Sequence, residues 1–193
     1  MKERKTMPFD KNFVPALRFA VMSDIHIDDE DCIEEQRFAK ALDDLKNLCS
    51  SDERYNGFDA LVIVGDFASR GSEIQMCKVK KILDAGLPAD VRLIRTRGGH
   101  EYMTDGEENA LRRFDEIFGL TPDTHAVING FDFIAVTTTR GCHFDDKKRG
   151  FVSAELEKAA ERDGKKPIFF FQHPHITDTV YGSINWGEDE ITD

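Results

Sequence analysis

The sequence has no long apolar run, and no apolar segment follows its charged first residues. A membrane-spanning helix needs about 20 consecutive, predominantly apolar residues, and the 193 residues contain no run of that length. Residues 1–11 carry charges without the apolar segment that follows them in a signal peptide. These absences predict a chain with no membrane span and no signal peptide, and we expect a cytoplasmic location.

Cysteine and basic residues are also in short supply. The four cysteines, Cys32, Cys49, Cys77 and Cys142, form no Cys-x-x-Cys pair, which argues against a disulfide framework or a structural zinc site. The 26 basic residues are outnumbered by 37 acidic residues, which gives a formal charge of −11. Non-specific binding to nucleic acid or to anionic membranes relies on basic patches, so this balance argues against it. It does not exclude a small phosphate ester held by a metal ion.

The chain does contain apolar strand patterns that alternate with amphipathic helix patterns. Strands are predicted from Arg18 to the Asp24-Ile-His26 motif and over 60–64, 91–96, 126–128, 131–137 and 167–171. Helices are predicted over 33–50 and 107–118. A third helix is predicted to begin at a capping box of Ser72 and Gln75 and to end at Gly86 in the C′ position, and a fourth to run from Ser153 to near Gly164. Asn129-Gly130 predicts a hairpin turn. This alternation predicts one α/β domain over residues 1–193, built as a sheet sandwich.

Polar residues stand where several of the predicted strands end. They are Asp24 and His26, Asp66 after Gly65, His100 after Gly98 and Gly99, and His173. In open α/β sheets the functional site lies outside the carboxyl ends of the strands. Carboxylate and imidazole together suit divalent or trivalent transition metals such as Zn, Mn or Fe. We therefore expect these side chains to gather around bound cations.

The order of these motifs resembles that of the calcineurin-like metallophosphoesterase family. That family has Asp-x-His, Gly-Asp with a Gly five residues on, Gly-Asn-His-Asp/Glu, a His after a strand, and Gly-His-x-His. This chain has, in the same order, Asp24-Ile-His26, Gly65-Asp66 with Gly71, Gly98-Gly99-His100-Glu101, and His173. The resemblance spans residues 18–175. It implies a four-layer α/β/β/α sandwich, a dinuclear metal site, and hydrolysis of phosphate mono- or diesters by a metal-bound hydroxide.

The resemblance also implies a role for each matching residue. Asp24 and His26 would bind the first metal ion, Asp66 would bridge both ions, and His173 would bind the second. His100 would be catalytic, beside the scissile phosphate. Because guanidinium pairs well with phosphate oxygens, we name three candidate substrate contacts: Arg70, Arg97 and Arg140. The substrate would be a small-molecule or nucleotide phosphate ester.

Two departures from the family pattern affect the metal ligands. The position of the family's Asn, a ligand of the second metal, is occupied by Gly99 in this chain, and the Gly-His-x-His motif is missing. The chain ends soon after His173, so we expect a partial domain. The first metal keeps Asp24, His26 and Asp66, as many protein ligands as an open catalytic zinc site has. The second keeps only Asp66 and His173, with His175 as a candidate replacement ligand. We therefore expect one metal ion to bind well, the second to bind weakly or not at all, and activity to be reduced.

Other interpretations stay open. Gly99 favours a non-catalytic relative that keeps the fold and binds a metal, a nucleotide or another partner. A missing last part of the domain would expose a sheet edge, which favours a homodimer through that edge. Outside the motifs, His125 and His143 are predicted to face solvent. The basic run Lys147, Lys148 and Arg149 is predicted to lie in a solvated loop, and the alternative is a basic rim beside the substrate.

Overall fold

The structure is a computed structural model that describes residues 12–119, 123–138, 144–163 and 165–176. The strands are β1 (Phe19–Met22), β2 (Ala60–Val64), β3 (Arg92–Thr96), β4 (Thr124–Ile128), β5 (Phe131–Ala135) and β6 (Ile168–Phe171). The helices are α1 (Ile33–Ser50), α2 (Glu73–Gly86), α3 (Glu107–Phe118) and α4 (Asp146–Asp163). A 3₁₀ turn covers His100–Tyr102. Within the described ranges, no helix combines the length and the apolar character that crossing a membrane requires.

The first sheet has the order β1-β2-β3, and all of its strands are parallel. The central strand β2 is buried along its whole length, as expected of a parallel strand covered on both faces. Leu61 and Ile63 pack on the helix side, whereas Ala60, Val62 and Val64 pack on the opposite side. The run of β-branched residues in β2 therefore belongs to two different apolar layers.

The second sheet has the order β4-β5-β6, with β4 antiparallel to β5 and β5 parallel to β6. Asn129 and Gly130 join β4 to β5, and both have left-handed backbone angles, with φ of 51° and 77°. Two such residues define the turn that matches the twist of a hairpin, so the predicted turn is confirmed.

The two sheets face each other, with helices outside. Helices α1, α2 and α3 contribute Phe38, Leu42, Met76, Val79, Leu83 and Phe114 to the apolar cluster on the outer face of the first sheet. The inner layer is rich in aromatic rings; Phe19 of β1 meets Phe133 and Phe169 of the second sheet edge to face, with centroids 5.0 and 4.8 Å apart. Helix α4 packs on β5. The four-layer α/β/β/α architecture implied by the family resemblance is confirmed.

Two predicted helix boundaries are wrong. Helix α4 begins at Asp146, so Ser153 lies inside it, and Lys147, Lys148 and Arg149 belong to its first turn instead of a loop. The carboxylate of Asp145 accepts the Lys148 N–H at 2.7 Å, which caps the helix earlier than Ser153 would.

The end of α2 also differs from the prediction, although its capping box of Ser72 and Gln75 is confirmed. Gly86 is the last helical residue and not a left-handed C′ residue. The helix stops because the next residue, Leu87, precedes Pro88 and takes an extended conformation.

The side chain of His125 is mostly buried, so the prediction that it faces solvent is wrong. Only 9% of its side chain is exposed, and it lies between two carboxylates. Nε2 is 2.6 Å from an oxygen of Asp132, and Nδ1 is 2.5 Å from an oxygen of Glu155. The carboxylates also pair with Arg162 and Lys158 of α4. His125 thereby ties β4 to β5 and to α4.

We expect His125→Ala to lower the free energy of unfolding by about 2 kcal/mol, because it leaves the buried carboxylate of Asp132 and the largely buried carboxylate of Glu155 with one partner fewer each. Val127→Ala on the same strand changes an exposed side chain and should stay within about 0.5 kcal/mol. Urea denaturation measures both variants. Equal effects of the two substitutions would show that the buried contacts of His125 contribute nothing.

Candidate metal centre

The first two candidate ligands follow β1 in a loop and do not belong to the strand. β1 ends at Met22, and Asp24 and His26 have left-handed backbone angles, with φ of 55° and 54°. The strand predicted to reach the Asp24-Ile-His26 motif therefore ends before it. The Asp24 and His26 N–H groups donate to the carbonyls of Gly65 and Asp66, at 3.3 and 3.1 Å. These bonds place the loop beside the residues that follow β2.

Asp66 lies at the centre of the candidate site. It is buried, and its φ is 52°. Oδ1 accepts the His100 N–H at 3.0 Å. Oδ2 is 3.2 Å from Nε2 of His173 and 4.0 Å from Nε2 of His100. Its carboxylate therefore faces residues from two separate segments of the chain.

Two groups of three potential ligands meet at Asp66. One contains His26, Asp66 and His100, and the other contains Asp24, Asp66 and His173; within each group the ligand atoms lie within 4.8 Å of one another. The groups are adjacent, since Nε2 of His26 is 3.7 Å from Oδ1 of Asp24. The structure thus brings together all five residues predicted as metal ligands or catalytic group.

The histidine orientations suit metal binding. Nδ1 of His100 donates to the carbonyl of Ser69 at 2.7 Å, and Nδ1 of His173 donates to the carbonyl of Val64 at 2.8 Å. A carbonyl accepts but cannot donate, so we assign the ring proton to Nδ1 in the neutral form. Nε2 then carries the free lone pair and faces the cluster, as metal-binding histidines commonly do. The nitrogen and carboxylate donors therefore fit a transition-metal centre.

Glu101 is the functional residue that sequence reasoning missed. Its side chain is almost fully buried, and its carboxylate accepts N–H groups from Asp66 at 2.9 Å, Ala68 at 3.1 Å and Gly98 at 2.7 Å. Burial raises the pKa of Glu101, although the backbone hydrogen bonds oppose the shift. The available signal was its place directly after His100 in the third motif. Glu101 joins the loop after β2 to the loop after β3.

At three of the four motif glycines a side chain would clash with neighbouring atoms, and at the fourth it would not. A Cβ added to Gly65 would lie 2.5 Å from the Gly98 nitrogen. A Cβ added to Gly71 would lie 1.9 Å from the Glu101 carbonyl oxygen, and a Cβ added to Gly98 would lie 2.1 Å from Oδ1 of Asp66. A Cβ on Gly99 would meet only the Tyr102 hydroxyl, at 3.9 Å. Position 99 has an ordinary helical φ of −70°, so a larger residue fits there.

The three predicted phosphate contacts differ in their positions. Arg70 is exposed and follows Ser69, whose carbonyl holds His100. Arg97 has only 1% of its side chain exposed, bonds Glu107 at 2.7 Å, and lies over the Tyr102 ring. This burial contradicts the phosphate contact predicted for Arg97. Arg140 lies outside the described residues, as does His143.

The electrostatics of Asp66 and His173 are linked. Burial alone raises the pKa of Asp66, but hydrogen bonds from His173 and His100 outweigh it and leave the pKa below its ordinary value. Burial lowers the pKa of His173, but the hydrogen bonds to Asp66 and Val64 outweigh it and raise the pKa from 6.5 to about 9. Without a metal ion, the two side chains therefore form an ion pair at neutral pH.

The fold and this Asp/His cluster together define an α/β sandwich with a candidate dinuclear metal centre. The family model for calcineurin-like phosphoesterases matches residues 17–193. The chain therefore belongs to the calcineurin-like phosphoesterase family. A search of curated proteins finds no match to the chain.

Gly98→Ala and Gly99→Ala form a matched pair. We expect Gly98→Ala to lower the free energy of unfolding by about 1–3 kcal/mol through overpacking and to weaken metal binding, because its methyl group displaces the Asp66 carboxylate. Gly99→Ala should leave both quantities nearly unchanged. Chemical denaturation and metal analysis of the purified proteins test this pair, and equal behaviour of the two variants would contradict the steric argument.

The raised pKa of His173 predicts that metal affinity rises with pH. A protonated imidazole cannot bind a metal, so the proton competes with the ion up to about pH 9. In the metal-free protein the His173–Asp66 pair should contribute its full stability between the ordinary pKa of Asp66 and about pH 6.5, and lose it as pH rises from there to about 9. Calorimetric titration with Zn²⁺ at several pH values, and denaturation in chelator, measure the two effects. A His173→Gln variant should lose both pH dependences.

Proposed function

We propose that this chain hydrolyses phosphate esters with bound divalent or trivalent ions, of which Mn, Fe and Zn are the candidates. The family as a whole implies metal-dependent hydrolysis of phosphoesters. The observation that carries the proposal for this chain is the convergence of Asp24, His26 and His173 on the buried carboxylate of Asp66. We propose these four residues as metal ligands, with Asp66 as the shared one.

Bound cations in such a centre would acidify a water molecule and neutralise charge that develops on the phosphate. The residues of this chain would arrange the ester around them. Arg70 is exposed and directly follows Ser69, whose carbonyl pairs with His100, so its guanidinium is the candidate for pairing with phosphate oxygens. His100 has 40% of its side chain exposed, so it can meet an entering phosphate. The role predicted for it beside the scissile bond stays a prediction.

The second candidate function is a metal- or nucleotide-binding module without catalysis. Gly99 favours it, because this position offers no side chain to a metal. The two candidates share the fold and the metal ligands, and they differ only in turnover.

We expect Mn²⁺-dependent hydrolysis of bis-p-nitrophenyl phosphate or p-nitrophenyl phosphate by the purified chain, followed by the release of p-nitrophenol. Asp66→Asn should lower the rate by at least about 100-fold, because metal ions supply several kcal/mol of transition-state stabilisation. The Asn oxygen can still accept the His100 N–H, so the loop should stay in place. Asp115→Asn, which changes an exposed carboxylate of α3, should keep the full rate.

Metal binding without turnover of either ester would contradict the hydrolase and support the binding module. Turnover that appears only in Gly99→Asn would show that the residue at position 99 decides between the two functions.

A further inference from the structure

We propose that the hydroxyl group of Tyr102 binds the phosphate group of the substrate, as a hydrogen-bond donor to a nonbridging phosphate oxygen. The inference rests on the proposed function, because it concerns the phosphate that the metal centre would hold, but its test does not need turnover. It leaves the proposed metal ligands as they are. Tyr102 lies outside the sequence motifs, the third of which ends at Glu101.

The first step is the position of the hydroxyl group. Tyr102 ends the 3₁₀ turn that follows Gly99, and its hydroxyl oxygen is 3.9 Å from a Cβ built on Gly99. The residues on either side of Gly99 both reach Oδ1 of Asp66. The His100 N–H donates to this oxygen at 3.0 Å, and a Cβ on Gly98 would lie 2.1 Å from it. The Tyr102 hydroxyl therefore lies beside the loop segment that contacts the central carboxylate of the candidate site.

The second step is that this hydroxyl is available to a ligand. Tyr102 is partly exposed, and no group within the described ranges forms a hydrogen bond with its hydroxyl. The other tyrosine in the described part of the chain, Tyr55, donates to Asp59 at 2.5 Å. A phenol hydroxyl can donate one hydrogen bond and also accept. Tyr102 therefore has an unused donor that a phosphate oxygen can accept.

The third step is the support of the Tyr102 ring. The guanidinium of Arg97 lies over the face of this ring, with Cζ 5.2 Å from the centroid, which is a cation–π arrangement. Only 1% of the Arg97 side chain is exposed, and Nη2 donates to Glu107 at 2.7 Å. Its Nε and Nη1 have no hydrogen-bond partner within the residues that the structure describes. Because Arg97 is buried, it is a positioning residue that holds the Tyr102 ring and does not itself meet the phosphate.

The fourth step is the connection to Arg70, the candidate phosphate contact. The Arg70 carbonyl accepts the Thr104 N–H at 3.0 Å and the Thr104 hydroxyl at 2.7 Å. Thr104 lies two residues after Tyr102, whose own carbonyl accepts the Gly106 N–H at 2.9 Å. These bonds hold the segments that contain Arg70 and Tyr102 together. A cation and a neutral donor from adjacent segments suit the several oxygens of one phosphate group.

Tyr102→Phe isolates the proposed contact, because it removes the hydroxyl and keeps the ring that Arg97 covers. With p-nitrophenyl phosphate and Mn²⁺, we expect KM to rise about 10-fold, since a hydrogen bond to a charged group is lost. The value of kcat should change less, because the contact exists before and during bond cleavage. Metal content by mass spectrometry should equal that of the wild type. Tyr55→Phe removes a hydroxyl that precedes β2 and should leave KM unchanged.

Inorganic phosphate gives a readout that needs no turnover. Calorimetric titration of phosphate into the Mn²⁺-loaded chain should give a Kd about 10-fold higher for Tyr102→Phe than for the wild type, whereas Tyr55→Phe should match the wild type. Circular dichroism of each variant checks that the fold is kept.

The positioning role of Arg97 is tested by a double-mutant cycle. Arg97→Lys keeps the positive charge but loses the planar group that stacks on the ring. It should raise the Kd for phosphate when Tyr102 is present and have no further effect in Tyr102→Phe, because the hydroxyl that it positions is then absent. Equal effects of Arg97→Lys in both backgrounds would contradict the positioning role.

Equal KM and equal Kd in Tyr102→Phe and the wild type would overturn the inference. Loss of metal from Tyr102→Phe, or the absence of phosphate binding to the wild type, would do the same. A raised KM with an unchanged Kd for phosphate would assign the hydroxyl to the alcohol part of the ester and would also overturn it. Weaker phosphate binding in Tyr102→Phe, with no ester hydrolysed by the wild type, would support this inference while the proposed function fails.

Discussion

The buried carboxylate of Glu101 is the contact on which the geometry of the candidate metal centre depends. Its two oxygens accept three N–H groups, from Asp66, Ala68 and Gly98. Each of these amides is buried, and an unsatisfied buried donor costs about 1–3 kcal/mol. No other side chain accepts these three amides within the described ranges. The loop after β2 and the loop after β3 therefore keep one fixed relation, and Asp66 and His100 keep theirs.

Three candidate ligands beside these loops have left-handed backbone angles. Asp24, His26 and Asp66 all have φ between 52° and 55°, a region that costs a non-glycine residue on the order of 1–3 kcal/mol. The cost is offset by backbone hydrogen bonds from Asp24 to Gly65 and from His26 to Asp66. Strain of this kind is typical of functional sites, where surrounding structure holds a side chain in an otherwise unfavourable direction.

Local patterns in the sequence predicted the elements that local physics determines. The β-branched run of β2, the capping box of Ser72 and Gln75, and the Asn129-Gly130 turn depend on neighbouring residues, and all three are present as predicted. The start of α4 was missed because Asp145 competes with Ser153 as a cap. The burial of His125 and of Arg97 depends on Glu155 and Glu107, which lie elsewhere in the chain. The motif order predicted which side chains gather, but their division around Asp66 follows from ring orientations that spacing cannot show.

The hydrogen bond from His173 to the Val64 carbonyl has a consequence for the sandwich as a whole. His173 follows β6 of the second sheet. Val64 is the last residue of β2 in the first sheet, and Asp66 comes shortly after it. A cation shared by Asp66 and His173 would bridge the two sheets in the manner of a covalent cross-link. Ligands that bind only the folded state stabilise it by mass action. The cohesion of the two β-layers would then vary with the concentration of free metal around the protein.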